Sequence, residues 1–202
     1  MVIFRFLDPV VNLNGMNFRI CWLLLLLPVT LLGQDQQHLV AQPKLPVVDY
    51  DACPFEGCTF GKWKVTKESV LYSSWAEDRT KVGNLRPGSD VVGLTGIHLT
   101  LQPDKIRVDV AIPELGVQPG DVILRYMYRG EGFADLWAGG QWHKDYDSSF
   151  ITEKEDAGCM RGCAAHVLED GEKQWWVNVK LPSGKTGWVL VDGNFDGIDA
   201  LE

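Results

Sequence analysis

Short runs of alternating apolar and polar residues, each closed by a glycine or proline turn, constrain the fold of this chain more than any other feature. In the run 173–181, every second residue from Trp175 onward is apolar and most of the others are polar. Residues 182–185, Pro-Ser-Gly-Lys, then supply a turn, and 186–191 return as a second strand. A period of two indicates a strand with one buried side and one side facing solvent.

Similar short segments recur from residue 48 onward, and we identify no amphipathic helix longer than two turns. The predicted segments are 70–72, 81–85, 90–96, 105–110, 122–128 and 133–137. Short strands separated by turn residues are typical of an all-β barrel or sandwich. The predicted fold class is therefore all-β.

The N-terminal residues have the features of a secretory signal peptide. Arg19 precedes an apolar stretch at 20–32, and a small residue and a Gln-rich stretch follow it. That order is typical of an export signal, and the stretch is shorter than the ~20 residues that cross a bilayer as a helix. We predict a signal peptide at 1–33, with Met16 as an alternative start, and a flexible leader at 34–47. The predicted location is secreted or periplasmic, with the membrane contacted only through the signal; an uncleaved anchor and a lipoprotein are the alternatives.

Four cysteines follow the predicted signal: Cys53, Cys58, Cys159 and Cys163. An even number in an exported chain favours disulfides, but the spacing leaves the three connectivities open. Local pairs would close two small loops, whereas crossed pairs would tie the N-terminal segment to a late loop. A zinc site built from all four thiolates has acceptable spacing and is the alternative, although an oxidising compartment disfavours it.

Three stretches of the sequence resemble bacterial SH3-like (SH3b) domains. Residues 176–189 follow the pattern W-V-x-V-x-L-x-x-G-x-x-G-W-V, which is similar to the closing hairpin of such a domain. Residues 70–94, which contain V-L-Y and V-G-N-L-R-P-G-S-D-V-V-G-L, look like its opening strands. Residues 119–133 resemble the start of a second copy.

This resemblance covers most of residues 60–195 and implies small, strongly bent β-barrels. On this basis we predict two SH3-like barrels in tandem, at 48–112 and 113–202, with a long loop insertion at 148–172 in the second. The family also implies binding, often to cell-wall peptidoglycan or to peptide segments, and frequently no catalysis. It supplies no motif that assigns binding residues.

Aromatic rings are the predicted ligand-binding groups. The chain has 8 Trp and 5 Tyr, and rings exposed on a barrel bind peptide or sugar chains by stacking and apolar contact. Small barrels also fill a thin core with rings, so we expect at least half to be buried. Trp75, in a polar loop, and Trp176, on the polar side of its strand, are expected to be exposed; alternatively, Trp176 covers a neighbouring strand. The predicted binding residues are Trp75, Trp176, Tyr126, Trp137 and Trp142.

An acidic segment near the end of the sequence matches the first half of a calcium-binding loop. Residues 192–197 follow D-x-[DN]-x-[DN]-G, a spacing that directs three oxygen side chains at one hard cation. The predicted calcium ligands are Asp192, Asn194, Asp196 and the backbone carbonyl of Ile198. The alternative is an acidic tail in which the Asp and Asn residues form their own turns.

The histidines carry no strong functional signal. Alternation would place His143, Asp145 and Asp147 on one strand face, as a metal or acid–base site requires. We interpret these three residues instead as part of a solvated loop. His98 and His166 are isolated in sequence and are interpreted as ordinary surface or packed residues.

These features favour an exported, non-catalytic binding module that contacts a cell-wall polymer, a protein or a peptide. The formal net charge of −8 argues against a nucleic-acid partner, because nucleic-acid-binding proteins carry a basic surface. The main alternative is a structural envelope protein whose acidic tail is stabilised by calcium, whereas the favoured interpretation needs no cofactor. A hydrolase is less favoured, because the predicted barrels leave no residues for a separate catalytic domain.

Overall fold

The computed structural model of this chain describes residues 41–153 and 162–201. The predicted signal peptide, the first residues of the leader and Cys159 lie outside these ranges. The all-β prediction is confirmed, because the described elements are strands apart from one 3₁₀ turn at Pro113–Leu115. Within the described ranges, no helix is long and apolar enough to cross a membrane.

The described strands form two sheets. Their bounds in chain order are β1 Val47–Tyr50, β2 Gly61–Val65, β3 Ser69–Tyr72, β4 Lys81–Leu85, β5 Asp90–Gln102, β6 Asp104–Val108, β7 Val122–Gly130, β8 Phe133–Ala138, β9 Gln141–Asp147, β10 Ile151–Thr152, β11 Ala165–Glu169, β12 Glu172–Lys180, β13 Thr186–Val191 and β14 Phe195–Asp196. The first sheet has the order β14-β2-β5-β12-β13-β3-β4, with β1 also paired to β5. The second has the order β10-β11-β6-β7-β8-β9, in which β10 and β11 are parallel.

The predicted hairpin of β12 and β13 is confirmed, and it lies inside the first sheet. β12 pairs with β13 along one edge and with β5 along the other. Val177, Val179 and Val189 are fully buried in the core of this sheet, as the period of two predicts. Burial of each such side chain stabilises the fold by about 1.5 kcal/mol or more.

The strand pairing differs from the predicted division of the chain at residue 112. β12 and β13 hydrogen-bond to β5 and β3, so the late hairpin completes the sheet that begins at Val47. The second sheet is formed by strands between residues 104 and 169, and its chain segment is inserted between β5 and β12. The predicted loop insertion at 148–172 contains two strands of that sheet, β10 and β11. Local alternation identifies strands but carries no information about their distant partners.

Aromatic rings fill the core of the first sheet. The ring of Trp63 lies 5.7 Å from that of Trp175 and 5.6 Å from that of Phe195, measured between centroids. Gly93 faces Trp63 across the pair of β2 and β5, and a Cβ atom on Gly93 would lie 2.8 Å from the Trp63 ring. The ring occupies the space that a side chain on Gly93 would need.

Gly93→Ala is therefore expected to lower the free energy of unfolding by about 1–3 kcal/mol, because the buried Trp63 ring has to shift. Gly83→Ala, on β4, is the matched control, since no atom lies within 4 Å of its added Cβ. We expect that control to change stability by less than about 0.5 kcal/mol. Urea unfolding of both variants checks the prediction, and equal midpoints would contradict it.

Cys53 and Cys58 form a disulfide, with their Cα atoms 5.5 Å apart. This confirms the expectation of a disulfide, shows the local connectivity that the sequence left open for the first cysteine pair, and is incompatible with the four-thiolate zinc site. Cys163 is also disulfide-bonded. The loop closed by Cys53 and Cys58 packs on the core, because Phe55 contacts the ring of Trp175 edge-on at 5.6 Å.

A buried ion network joins the two sheets at Asp104, the first residue of β6. This carboxylate is 2% exposed and accepts hydrogen bonds from Arg125 Nε at 2.6 Å, from the Gly171 backbone N–H at 2.7 Å and from Lys173 Nζ. Arg125 lies on β7 and Lys173 on β12, so one carboxylate binds cations from both sheets. Burial alone would raise the pKa of Asp104, but the three hydrogen bonds hold it below its ordinary value.

A second ion group, in which only Asp135 is buried, lies nearby. Arg129, on β7, donates to Asp135 at 2.6 Å and to Asp49 at 2.5 Å. Its hydrogen bond to Asp135 raises the pKa of Arg129, against the opposing effect of burial. Because Asp49 lies on β1, this group also ties the first sheet to the second.

Candidate functional site

Aromatic side chains collect on the face of the first sheet that points away from its core, here called the outer face. Trp175 and Trp176 are consecutive on β12, so one points to the core and the other to the outer face. Trp176 pairs with Ile97 of β5 and Leu190 of β13. All three side chains pack together on this face, with Trp75 also in contact.

The loop between β3 and β4 lies over Trp176. The guanidinium carbon of Arg79 is 4.6 Å from the centroid of the Trp176 ring and 5.5 Å from that of Tyr72. Arg79 also donates a hydrogen bond to the backbone carbonyl of Ala76 at 3.0 Å, so its guanidinium group is bound to the backbone of its own loop. The Trp176 indole N–H donates to Gln174 at 2.9 Å.

The prediction that Trp176 is exposed is wrong, because its side chain is only 2% exposed. Arg79 and Tyr72 cover the ring on the side that alternation had assigned to solvent. The alternative, in which Trp176 packs over neighbouring strands, describes its position.

Trp75 and Tyr50 are two accessible rings of this surface. Trp75 is half-buried in the loop between β3 and β4. Its ring meets that of Tyr50 edge-on, with centroids 6.1 Å apart, and Tyr50 is 65% exposed. We call Tyr50, Tyr72, Trp75, Arg79 and Trp176 the aromatic platform. Sequence reasoning missed Tyr50 and Arg79.

A polar groove of about 260 Å³ borders the aromatic platform. Tyr72, Arg79 and Trp176 form one part of its lining, and Glu68 and Asp192 supply carboxylates. This arrangement offers ring surfaces for stacking and charged groups for hydrogen bonding to a polar chain.

The other predicted binding residues lie in the second sheet and are not brought together with Trp75. Tyr126 is fully buried, so its prediction as an exposed binding ring is wrong. Its hydroxyl accepts a hydrogen bond from Gln42 at 3.1 Å, and burial raises the pKa of Tyr126. Trp137 and Trp142 are half-buried and lie opposite each other on β8 and β9. The ring of Trp142 packs against that of Tyr126 at 4.8 Å.

The predicted calcium segment is held by its own hydrogen bonds. Asn194 is buried, and its amide nitrogen donates to Ser69 Oγ at 2.7 Å and to the carbonyl of Leu190 at 3.0 Å. Its amide oxygen accepts from the backbone N–H of Asp192 at 3.0 Å. Asp196 lies on β14, which pairs with β2. In the described ranges, no group of three or more His, Cys, Asp or Glu residues is arranged to hold a metal; calcium at Asp192, Asn194, Asp196 and Ile198 stays a prediction.

The interpretation of residues 143–147 as a loop is wrong, because they belong to β9. His143 Nε2 lies 3.3 Å from the carbonyl oxygen of Ala138, and the Asp145 backbone N–H donates to Asp135 at 2.9 Å. Pairing with β8 is irregular at this point, and the φ of Asp145 is 50°, in the left-handed region. The irregularity interrupts the alternation that would have placed the three polar residues on one face.

His166 and His98 are both buried. His166 Nδ1 lies 2.6 Å from a carboxylate oxygen of Asp109, so it is a packed residue with a partner, as interpreted from the sequence. His98 lies on β5, and Lys173 and Arg129 lower the pKa of its imidazole.

Comparison with known proteins found no match for this chain among family models, curated proteins or solved structures.

Proposed function

We propose that this protein is an exported, non-catalytic SH3-like binding module that holds an extended cell-wall polymer, peptidoglycan, on the aromatic platform. The observation that carries the proposal is the pair of Tyr50 and Trp75, whose accessible rings meet edge-on. Trp75 packs on the same cluster as Trp176, and Trp176 lines the polar groove. The disulfide of Cys53 and Cys58 is consistent with export.

The platform is suited to a polymer because its parts are held in place before a ligand arrives. Arg79 is stacked on Trp176 and bonded to Ala76, so little side-chain freedom is lost when a chain binds. The rings supply apolar contact to sugar or peptide units. Glu68 and Asp192 supply acceptors for hydroxyl and amide groups along the groove.

Retention of the purified protein on peptidoglycan sacculi tests this function. Tyr50→Ala and Trp75→Ala are each expected to weaken retention at least about tenfold, which corresponds to the loss of about 1.4 kcal/mol of binding free energy. The matched control is Phe133→Ala, which removes a ring that is 38% exposed on the second sheet.

We expect Phe133→Ala to be retained like the wild type. Failure of the wild type to bind sacculi would refute the choice of peptidoglycan. Equal retention of the wild type and both platform variants would refute the choice of site.

A further inference from the structure

We propose that the cleft around His98 is a second binding site, which takes a small carboxylate-bearing group with an apolar substituent. This site lies on the core side of β5. Ile97 and Leu99, the neighbours of His98 in the strand, pack on the outer face, so His98 points the opposite way. The site is therefore independent of the aromatic platform.

Two cavities meet at His98. One, of about 180 Å³, has Asp49, Asp51, Ala52 and Arg129 in its lining. The other, of about 300 Å³, is lined by Lys173 and, on its apolar side, by Phe55, Trp175, Val191 and Ile198. Pro54 borders both cavities.

The wall of this cleft is fixed by hydrogen bonds and by the disulfide. The Ala52 backbone N–H donates to the carbonyl of Gly96 at 2.9 Å. The Trp175 indole N–H donates to the carbonyl of Ala52 at 3.0 Å. Cys53 is bonded to Cys58. A rigid wall of this kind lowers the entropic cost of binding a small ligand.

His98 is the polar group that has no protein partner in this cleft. His98 is 6% exposed, and neither of its ring nitrogens makes a hydrogen bond to the described residues. Every fully enclosed side-chain nitrogen or oxygen in the described part of the chain has a partner. The ring nitrogens of His98 are therefore not fully enclosed, and they reach the space of the cavities. A buried polar group left without a partner is costly, so an occupant that hydrogen-bonds to His98 is favoured.

The charges around His98 select the occupant. Burial and Lys173 lower the pKa of His98 to about 4; Arg129 also lowers it, while Asp49 and Asp104 raise it. The imidazole is therefore neutral at pH 7 and offers one N–H donor. Lys173 already donates one hydrogen to Asp104, but its ammonium group has further hydrogens. A carboxylate in the larger cavity can accept from one of these and from the His98 N–H, and Lys173 is the charged residue in the lining of that cavity. The apolar side of the larger cavity then contacts the substituent.

Nuclear magnetic resonance of the imidazole groups in the full chain tests this site, with N-acetylalanine as the probe and its C-terminal amide as the matched neutral control. We expect N-acetylalanine to shift the His98 signals and the amide to bind at least about tenfold more weakly, because it lacks the charge that Lys173 attracts. The signals of His166, which is bonded to Asp109 in the second sheet, serve as the internal reference and stay unchanged.

The pH dependence of binding gives an independent readout. We expect the affinity for N-acetylalanine to rise about threefold from about pH 7 to about pH 5, because a bound carboxylate favours the protonated imidazole. His98→Leu is expected to remove this dependence and to weaken binding at least about tenfold. If His98→Leu does not fold, the wild-type spectra with N-acetylalanine and with the amide still test the proposed site. Unshifted His98 signals, or equal binding of the acid and the amide, would overturn the proposal.

Discussion

Asp104→Asn is expected to lower the free energy of unfolding by about 3–5 kcal/mol, because it removes one partner of a buried ion network. The substitution keeps the size of the side chain but removes its charge. Arg125 and Lys173 then lie between the sheets without the carboxylate that binds both. The Asn amide group also places donors where the native carboxylate accepts three hydrogen bonds.

Urea unfolding at neutral pH measures this loss. The matched control is Glu153→Gln, which also removes a carboxylate partner of Arg125, but one that is 65% exposed. An exposed ion pair contributes about 1 kcal/mol or less, so the control is expected to unfold close to the wild type. Equal losses in the two variants would show that burial of Asp104 does not govern its contribution.

Acidification from about pH 6.5 to about pH 4 is expected to lower the free energy of unfolding by about 3 kcal/mol through His98 alone. The pKa of His98 is lowered from 6.5 to about 4 in the folded protein. Above pH 6.5 the imidazole is neutral in both states, and its titration does not affect stability. Between the two pKa values the unfolded state binds a proton that the folded state does not, so the free energy of unfolding decreases as the pH is lowered. Below about pH 4 both states are protonated and the effect levels off.

Unfolding of the wild type and His98→Gln at several pH values in this window separates the contribution of His98. Glutamine does not titrate, so the variant is expected to lose stability less steeply as pH falls. Asp104, whose pKa is held below its ordinary value, contributes stability that is lost only at lower pH. Parallel pH profiles for the wild type and the variant would contradict the account.

Alternation predicted much of the local structure but little of the long-range pairing. The hairpin of β12 and β13 was recognised because its turn and both strands are contiguous in sequence. The pairing of β12 with β5 joins residues that are about 80 positions apart, such as Trp176 and Ile97, and no local pattern encodes it. For this reason the observed strand pairing differs from the predicted division at residue 112.

The candidate site shows the same limit. Alternation placed Trp176 opposite Trp175, which is its observed position, but it could not show that Arg79 covers the ring. Tyr50 was missed because its partner, Trp75, lies on a distant loop. β9 was interpreted as a loop because its side chains are mostly polar, whereas pairing with β8 makes it a strand.

The most direct test of the central claim is to add soluble peptidoglycan fragments to the ¹⁵N-labelled protein and follow its tryptophan indole signals. The account predicts that the Trp75 signal shifts as the fragments bind at the aromatic platform. It also predicts that the Trp137 signal, from the second sheet, stays in place. A shift of Trp137 without a shift of Trp75 would place the ligand on the other sheet and contradict the proposed site.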